Sequence, residues 1–321
     1  MRVLVTGATS LIGAAVVDRL EARGDTVTVL QRRSAGRSRQ VLGDVTDPAV
    51  VAQAVAGHEA VIHLAAKVGV TGTWTEYQHV NVVGTETVVA AARATGVARF
   101  VHVSSPSVAH GGEPLVGVGA GPADPEATRG HYSTSKAIAE RHALAQADSD
   151  FALVAIRPHL VWGPGDTQLV GRIVERARQG RLATIGSGAA LIDTTYIDNA
   201  ADALVAAVDH APSASGEALV VSNGEPRPIA EVLERIVAAA GLPMPGLRVP
   251  TRLAFTAGLL LEKVWERTGR QDDPPMTSFL AEQLSTAHWF DQSRTRQLLD
   301  WHPAVTLDEG FERLRHWFAN T

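Results

Sequence analysis

The chain has 321 residues, 45% of them hydrophobic and 20% charged, with a formal net charge of −5. That length fits one large α/β domain with a smaller lobe and is enough to bury a sizeable core, while the mildly acidic balance counts against nucleic-acid binding, which needs a basic face. The absence of cysteine excludes disulfides, thiolate metal sites and a cysteine nucleophile.

The N-terminal MRVLVTG enters an apolar strand at once, Arg2–Thr6, so no secretory leader is expected. Residues 11–23 carry Ile12, Val16, Val17 and Leu20 at helical spacing, and Gly24 ends that helix. Further strands are predicted at 26–30, 60–64, 100–104 and 152–157. Helices are predicted at 77–95, closed by Gly96, and at 131–147. Asp47 caps another helix, with Pro48 as its first residue. Strands alternating with helices imply parallel pairing with helices on both faces, an α/β, Rossmann-type doubly wound sheet. After Trp162-Gly-Pro-Gly165 the rhythm loosens. Helices at 169–179, 199–210, 229–240 and 251–267 then form a smaller C-terminal substrate-binding lobe over the carboxyl ends of the strands. The expected division is 1–165, a dinucleotide-binding domain whose core continues through later strands, and 166–321, mainly substrate-binding lobe. The loops 111–130 and 270–277 are rich in glycine, proline or acid. The first precedes helix 131–147 and reads either as an active-site lid or as a solvated loop. The apolar stretch 253–261 is too short to span a bilayer, and a soluble cytoplasmic protein is the expectation.

Between the first strand and the first helix runs Thr6-Gly7-Ala8-Thr9-Ser10-Leu11-Ile12-Gly13. A tight turn there brings backbone close to a pyrophosphate, and the helix N-terminus offers N–H groups and a positive dipole end. Ser10 stands where the dehydrogenase spacing has its middle glycine, so alone the loop also reads as an ordinary strand–turn–helix link. Its place at the start of the βαβ pattern favours a cofactor. The second strand ends Leu30-Gln31-Arg32-Arg33, with no acid to hold the ribose hydroxyls of NAD. A guanidinium there pairs with a 2′-phosphate, so NADP (NADPH) is expected, NAD is the alternative, and a solvated basic turn is the plain reading of Arg32 and Arg33.

Tyr132-Ser-Thr-Ser-Lys136 is the sharpest signal. A spacing of four puts both side chains on one helix face. Free tyrosine loses its proton at about pH 10, and a nearby ammonium with a positive nicotinamide ring would lower that value. The phenol can then give a proton to a carbonyl oxygen as hydride reaches the carbon. The chain has only three tyrosines and three lysines (Lys67, Lys136, Lys263), so chance placement gives about 0.03 such pairs. A solvated tyrosine is the competing explanation. Val101-His-Val-Ser104-Ser105-Pro-Ser107 ends strand 100–104, where active-site residues of open parallel sheets lie. Ser105 is the candidate partner of the substrate oxygen, with Ser104 and Ser107 as stand-ins and turn capping as the bland alternative.

The glycine loop, the Ser105/Tyr132/Lys136 set, Asn81 in His79-Val-Asn-Val-Val-Gly-Thr85, and Arg157-Pro158 before Gly163-Pro-Gly165 occur in one order over nearly the whole chain. Together they resemble the extended short-chain dehydrogenase/reductase family. Ala65-Ala-Lys-Val-Gly69, Ser104-Ser-Pro-Ser-Val108, Val161-Trp-Gly-Pro-Gly-Asp166, Ile192-Asp-Thr-Thr-Tyr-Ile-Asp-Asn199 and Ser222-Asn-Gly-Glu-Pro226 are similar to its 3β-hydroxysteroid dehydrogenase branch. Within that branch the similarity is to the 2-alkyl-3-oxoalkanoate reductases of bacterial long-chain olefin biosynthesis.

The resemblance implies that the pro-S hydride of NADPH reaches the 3-oxo carbon of a 2-alkyl-3-oxoalkanoic acid while Tyr132 supplies the proton. Lys136 would hold the nicotinamide ribose and lower the tyrosine pKa, Ser105 would steady the oxyanion, and Pro158 would pack near the nicotinamide. Cofactor contacts would come from Gly7, Thr9, Ser10, Leu11, Ile12 and Gly13, from Asp44 (to the adenine amine) and Val45, and from Leu64, Ala65 and Ala66. A homodimer through helices 77–95 and 131–147 is also implied, with Ala90, Ala91, Ala92, Ala94, Ala137, Ala139, Ala143 and Ala145 allowing close approach, and association with pathway enzymes is a further expectation. The alternatives are a steroid or sterol dehydrogenase, a nucleotide-sugar epimerase, against which the missing acid counts, and a non-catalytic NADP-binding sensor, against which the Tyr132–Lys136 pair counts.

Helix 251–267, with Leu253, Phe255, Leu259, Leu260, Leu261 and Val264, is more apolar than a surface helix needs. It reads as a core-packing helix, or else as the border of an acyl channel or a membrane or partner contact. Asp198 reads as a helix N-cap and Asp193 and Tyr196 as packing residues. His63, His102 and His159 read as core histidines satisfied by backbone, and no spacing among the twelve histidines suggests a metal site.

Overall fold

The computed structural model describes residues 1–37, 39–69, 71–268 and 274–321. Positions 270–273 of the loop expected at 270–277 therefore lie outside the described residues. In chain order the first half holds β1 Arg2–Thr6, α1 Leu11–Ala22, β2 Thr26–Gln31, β3 Gln40–Leu42, α2 Pro48–Val55, β4 Ala60–His63, α3 Trp74–Tyr77, a π-helical turn Gln78–Val83, α4 Gly84–Ala94, β5 Arg99–Val103, β6 Leu115–Val118, α5 His131–Leu144 and β7 Ala152–Pro158. The second half holds β8 Val161–Trp162, α6 Val170–Arg178, β9 Thr184–Ile185, β10 Leu191–Ile192, β11 Thr195–Tyr196, α7 Ile197–Asp209, β12 Ala218–Val221, β13 Arg227–Pro228, α8 Ile229–Ala239, β14 Arg248–Val249, α9 Thr251–Thr268, α10 Ser278–Gln283, β15 His288–Phe290, α11 Ser293–Leu299 and α12 Leu307–Ala319.

Seven strands pair in parallel in the order β12-β7-β5-β4-β1-β2-β3. Their apolar runs are buried on both faces, as a helix-covered parallel sheet requires: Val3, Leu4 and Val5 of β1 and Ala60, Val61 and Ile62 of β4 are all fully enclosed. Each buried valine, leucine or isoleucine among them stabilises the fold by roughly 1.5–3 kcal/mol through lost apolar exposure. The strand order reverses between β1 and β4, the position at which open α/β sheets hold ligands. β12 comes from the second half of the chain, and α7 packs against α1. The first-half sheet is thus completed by later residues.

The long helix expected at 77–95 begins earlier and is not uniform. Thr73 caps it at Trp74 through a capping box with Glu76, and a π-helical turn interrupts it around Asn81. The 111–130 segment is neither a bare lid nor a solvated loop. Its β6 joins a second, four-stranded sheet, in the order β13-β10-β15-β6, and Arg129 pairs with Glu282 of α10 at 2.9 Å. Asp198 does not cap α7. It lies in the first turn and pairs with Arg19 at 3.1 Å and Arg313 at 2.7 Å, so charge pairing with neighbouring helices replaces the cap. Of the alanines on α4 and α5, Ala92, Ala137, Ala139 and Ala143 are buried within the chain, whereas Ala90, Ala94 and Ala145 face outward.

One buried ion pair ties the helix of the Tyr132–Lys136 motif to the sheet. Arg157 of β7 donates from Nε and Nη2 to the two carboxylate oxygens of Glu140, at 2.8 and 2.5 Å. Its remaining nitrogen donates to the Ala120 carbonyl of the 111–130 segment. Glu140→Ala would leave that guanidinium buried without its counter-charge. The expected loss is about 3–5 kcal/mol of unfolding free energy, read as a lower urea midpoint at unchanged slope. The Glu140→Leu/Arg157→Met double variant should recover most of it, and equal losses in single and double would refute this role for the pair.

Candidate active site

The loop after β1 is built around two glycines that no other residue could replace without movement. Gly7 has φ +76°, and a Cβ on it would come within 2.8 Å of the Ala65 nitrogen; a Cβ on Gly13 would come within 2.4 Å of the Gly7 carbonyl oxygen. Ser10, in the middle-glycine position, has φ −76° and needs no glycine. Its hydroxyl donates to the Gly7 carbonyl at 2.9 Å and accepts from Gly13 N–H at 3.0 Å, capping α1. The N–H groups of Leu11 and Ile12, at the first turn, have no carbonyl in their own helix to bond and are available to an anion. Thr9 is exposed beside them.

The other residues named for a dinucleotide lie along the same carboxyl edge of the sheet. Arg32 and Arg33 follow β2, are exposed, and make no salt bridge among the described residues. Asp44 uses Oδ1 to accept from the backbone and hydroxyl of Thr46, both at 3.0 Å, leaving Oδ2 for a donor. Val45 beside it is buried. Leu64, Ala65 and Ala66 leave β4 half-buried opposite the glycine turn. His63 sets their course: its Nδ1 lies 2.8 Å from the Thr6 hydroxyl and its Nε2 3.1 Å from the Thr85 hydroxyl. Thr85 donates onward to the Asn81 carbonyl at 2.7 Å, and Ala65 N–H donates to Thr6 Oγ1 at 3.1 Å. That chain fixes the proton on Nε2 of His63. The donors, the glycine turn and the open carboxylate oxygen fit a nicotinamide dinucleotide.

His63 is thus satisfied by side-chain hydroxyls, not by backbone. His102 has no hydrogen-bond partner among the described residues, and only His159 meets the expectation, its Nδ1 lying 2.5 Å from the Asp193 carbonyl oxygen.

Tyr132 and Lys136 both sit on the inward face of α5. Lys136 is buried, and its Nζ donates to the Val103 carbonyl at 2.6 Å; burial lowers its pKa to about 8, with Glu140 acting the other way. Burial pushes the Tyr132 phenol above the usual value, and the Ser105 hydroxyl only partly offsets this. In the protein alone the phenol stays protonated, a proton donor at neutral pH. Asn81, held by the π-helical turn, donates from Nδ2 to Ser135 Oγ at 2.9 Å, and Ser135 donates to the Tyr132 carbonyl at 2.8 Å, bracing the start of α5. Ser105 caps a short 3-10 turn and shares a 3.0 Å hydrogen bond with Ser107.

Ser105, Ser107, Tyr132 and Pro158 open onto a cavity of about 560 Å³. Ser104 does not reach it, since its hydroxyl is buried elsewhere. The cavity's far wall is apolar, with Ile173, Val232, Leu233, Phe279 and Leu280, and its charged residues among those described are Arg172, Arg176 and Arg181. Three histidines that contribute to it, His110, His159 and His288, stack edge to face, with ring centroids 5.1 Å (His110–His288) and 6.1 Å (His159–His288) apart. The sequence reading missed His110 and His288. They arrive from β15 and from the turn after Ser105, and only the fold joins them. No described residue of α9 lines the cavity, which leaves the acyl-channel reading of that helix without support.

The chain matches the NAD dependent epimerase/dehydratase family over residues 3–222. It is 42% identical over 325 residues to the 2-alkyl-3-oxoalkanoate reductase of Stenotrophomonas maltophilia, covering 98% of each chain. It is 39% identical to the protein of the same name from Shewanella oneidensis, over 97% of this chain and 84% of that one. A 3-beta-hydroxysteroid dehydrogenase of Mycolicibacterium neoaurum is 30% identical, over 99% of this chain and 92% of that one. Among solved structures, MoeE5 in complex with UDP-glucose and NAD superposes with a TM-score of 0.75 at 25% identity, over 100% of this chain and 99% of that one.

The buried histidines make stability sensitive to acid. Burial holds His63 and His288 at about 3, His159 at about 4 and His102 well below the ordinary value. In the unfolded chain each takes a proton at about 6.5, so the unfolded state binds more protons and stability falls as pH drops from about 6.5 towards 4. Asp193, raised to about 6 by burial, gains its proton in the folded state first and offsets one histidine over the same window. His110, also lowered by burial, adds to these, so the net slope should reach about 4–5 kcal/mol per pH unit. Urea unfolding between about pH 7 and pH 5 measures it; His288→Phe should flatten the slope by about one proton, and a flat wild-type profile would sink the account.

Proposed function

From the premise that the chain belongs to the NAD dependent epimerase/dehydratase family and is a short-chain dehydrogenase/reductase-type oxidoreductase, we propose that it reduces a 2-alkyl-3-oxoalkanoic acid to the 3-hydroxy acid with NADPH. The observation that carries this reading is the cavity: proton donors at one end, an apolar wall beyond, and Arg181 among the described residues at its rim. An acid with alkyl chains matches that combination better than an uncharged sterol does.

Nicotinamide, when bound, supplies the hydride. Tyr132, protonated in its buried setting, gives its proton to the substrate's 3-oxo oxygen. Ser105 donates to the same oxygen as charge develops there, a fixed donor in a site shielded from water. Lys136 anchors the nicotinamide ribose and, as the ammonium nearest the phenol on its helix face, favours the phenolate left after transfer. The loop through Gly7, Ser10 and Gly13 receives the pyrophosphate at the start of α1, Asp44 accepts from the adenine amine, Pro158 packs near the nicotinamide, and Arg32 and Arg33 take the 2′-phosphate of NADPH. A homodimer across α4 and α5 is part of the reading, supported by the outward Ala90, Ala94 and Ala145.

With a racemic long-chain 2-alkyl-3-oxo acid, NADPH oxidation should outpace NADH oxidation. Tyr132→Phe should lower turnover by roughly 10²–10⁴-fold with little change in cofactor binding. Arg32→Ala/Arg33→Ala should raise the KM for NADPH and leave that for NADH nearly unchanged. Cofactor binding without turnover of the acid, together with turnover of a sterol or a nucleotide sugar, would refute the reading.

A further inference from the structure

Helix α9 turns an apolar strip to solvent that neither core nor cavity uses. Leu253 is 60% exposed, Leu259 40%, Leu260 64% and Val264 48%. At about 100° per residue, Leu253, Leu260 and Val264 fall in one narrow sector of the helix, with Arg267, Lys263 and Arg252 successively to one side. All three of those cations are exposed. Isolated surface leucines are ordinary, but the three apolar side chains Leu253, Leu260 and Val264 on a single helix face form a patch, while Leu259 lies on the far side of the cations. Among the described side chains of α9, the carboxylate Glu262 is turned inward, accepting from the Ser278 backbone at 2.8 Å and its hydroxyl at 3.0 Å. A cationic face on a chain of net charge −5 is not an average sample of its surface.

We propose that α9 docks on an anionic lipid surface, with Leu253, Leu260 and Val264 at the headgroup–acyl boundary and Arg252, Lys263 and Arg267 among the headgroups. Charge complementarity selects this partner. Helices that lie in a bilayer surface carry cations beside an apolar face, as α9 does. No helix among the described residues is long and apolar enough to cross a membrane, so the contact is peripheral.

The strip stands directly behind the cavity wall. A Cβ on Gly258 would come within 2.4 Å of the Ser278 nitrogen, so glycine there lets α9 rest on the backbone that opens α10. α10 in turn gives Phe279 and Leu280 to the cavity. The docking does not rest on the proposed substrate.

Co-sedimentation of the whole chain with phosphatidylcholine vesicles, pure or with about 30% phosphatidylglycerol, tests the docking. The wild type should bind the anionic vesicles, and added salt should weaken binding. Leu253→Asn/Leu260→Asn and Lys263→Glu/Arg267→Glu should each weaken it at least about tenfold, with unchanged Tm and NADPH binding. Vesicle binding needs no turnover, so failure of docking is distinguishable from failure of the substrate reading. Absence of binding to either vesicle, equal binding by the variants, or self-association in gel filtration that Leu253→Asn/Leu260→Asn abolishes would overturn it, the last assigning the face to a second copy.

Discussion

The pair between Arg157 and Glu140, wholly buried, is the constraint on which the site depends. Two charges in a low-dielectric interior are tolerated only when geometry and further hydrogen bonds compensate the lost hydration. Here the fork-to-fork geometry and the third bond, to Ala120, supply that compensation. The consequence is positional. β7 carries Arg157 one residue before Pro158, α5 carries Glu140 one turn after Lys136, and the 111–130 segment carries Ala120. One guanidinium therefore registers the carboxyl edge of the sheet, the helix bearing Tyr132, and the strand β6 that closes the cavity. A neutral packing of the same volume could be as stable, but it would not fix three segments to one another with the same directional precision.

Around that anchor the histidines of the cavity are kept uncharged. His110, His159 and His288 are held below the ordinary histidine value by burial, so they line the cavity as neutral rings. The same burial raises Tyr132 and lowers Lys136. These shifts have one cause acting on opposite charge types: loss of water disfavours phenolate and ammonium alike. A protonated phenol suits reduction of a carbonyl, where the first demand on the side chain is to release a proton and not to take one.

Much of this was legible in the sequence, for physical reasons. Parallel strands buried on both faces must be apolar runs, and the helices between them must end where glycine or a cap allows, so β1, α1, β2 and α5 lie close to where their patterns place them. The Tyr132–Lys136 spacing fixes a shared helix face whatever the fold around it. What was not legible depends on pairings distant in sequence. β6 is a strand only because β15, some 170 residues later, pairs with it. Asp198 looked like a cap from its local setting, but Arg19 and Arg313 pull it into pairing. The raised tyrosine pKa of the protein alone was not legible either, because spacing says nothing about burial.

Ser10 shows how a departure from a motif can be read once its geometry is known. The three-glycine spacing serves three needs: a left-handed turn, close approach of backbone to an anion, and close packing of helix on strand. In this chain the first and third needs still fall on Gly7 and Gly13, where a Cβ would collide with backbone. The middle position has an ordinary φ, so a side chain is tolerated there. Ser10 uses it to cap α1, satisfying the Gly13 N–H that the helix cannot and holding the Gly7 carbonyl in place. The glycine turn is therefore braced by a side chain, and the N–H groups left over at Leu11 and Ile12 point to where a phosphate would have to sit.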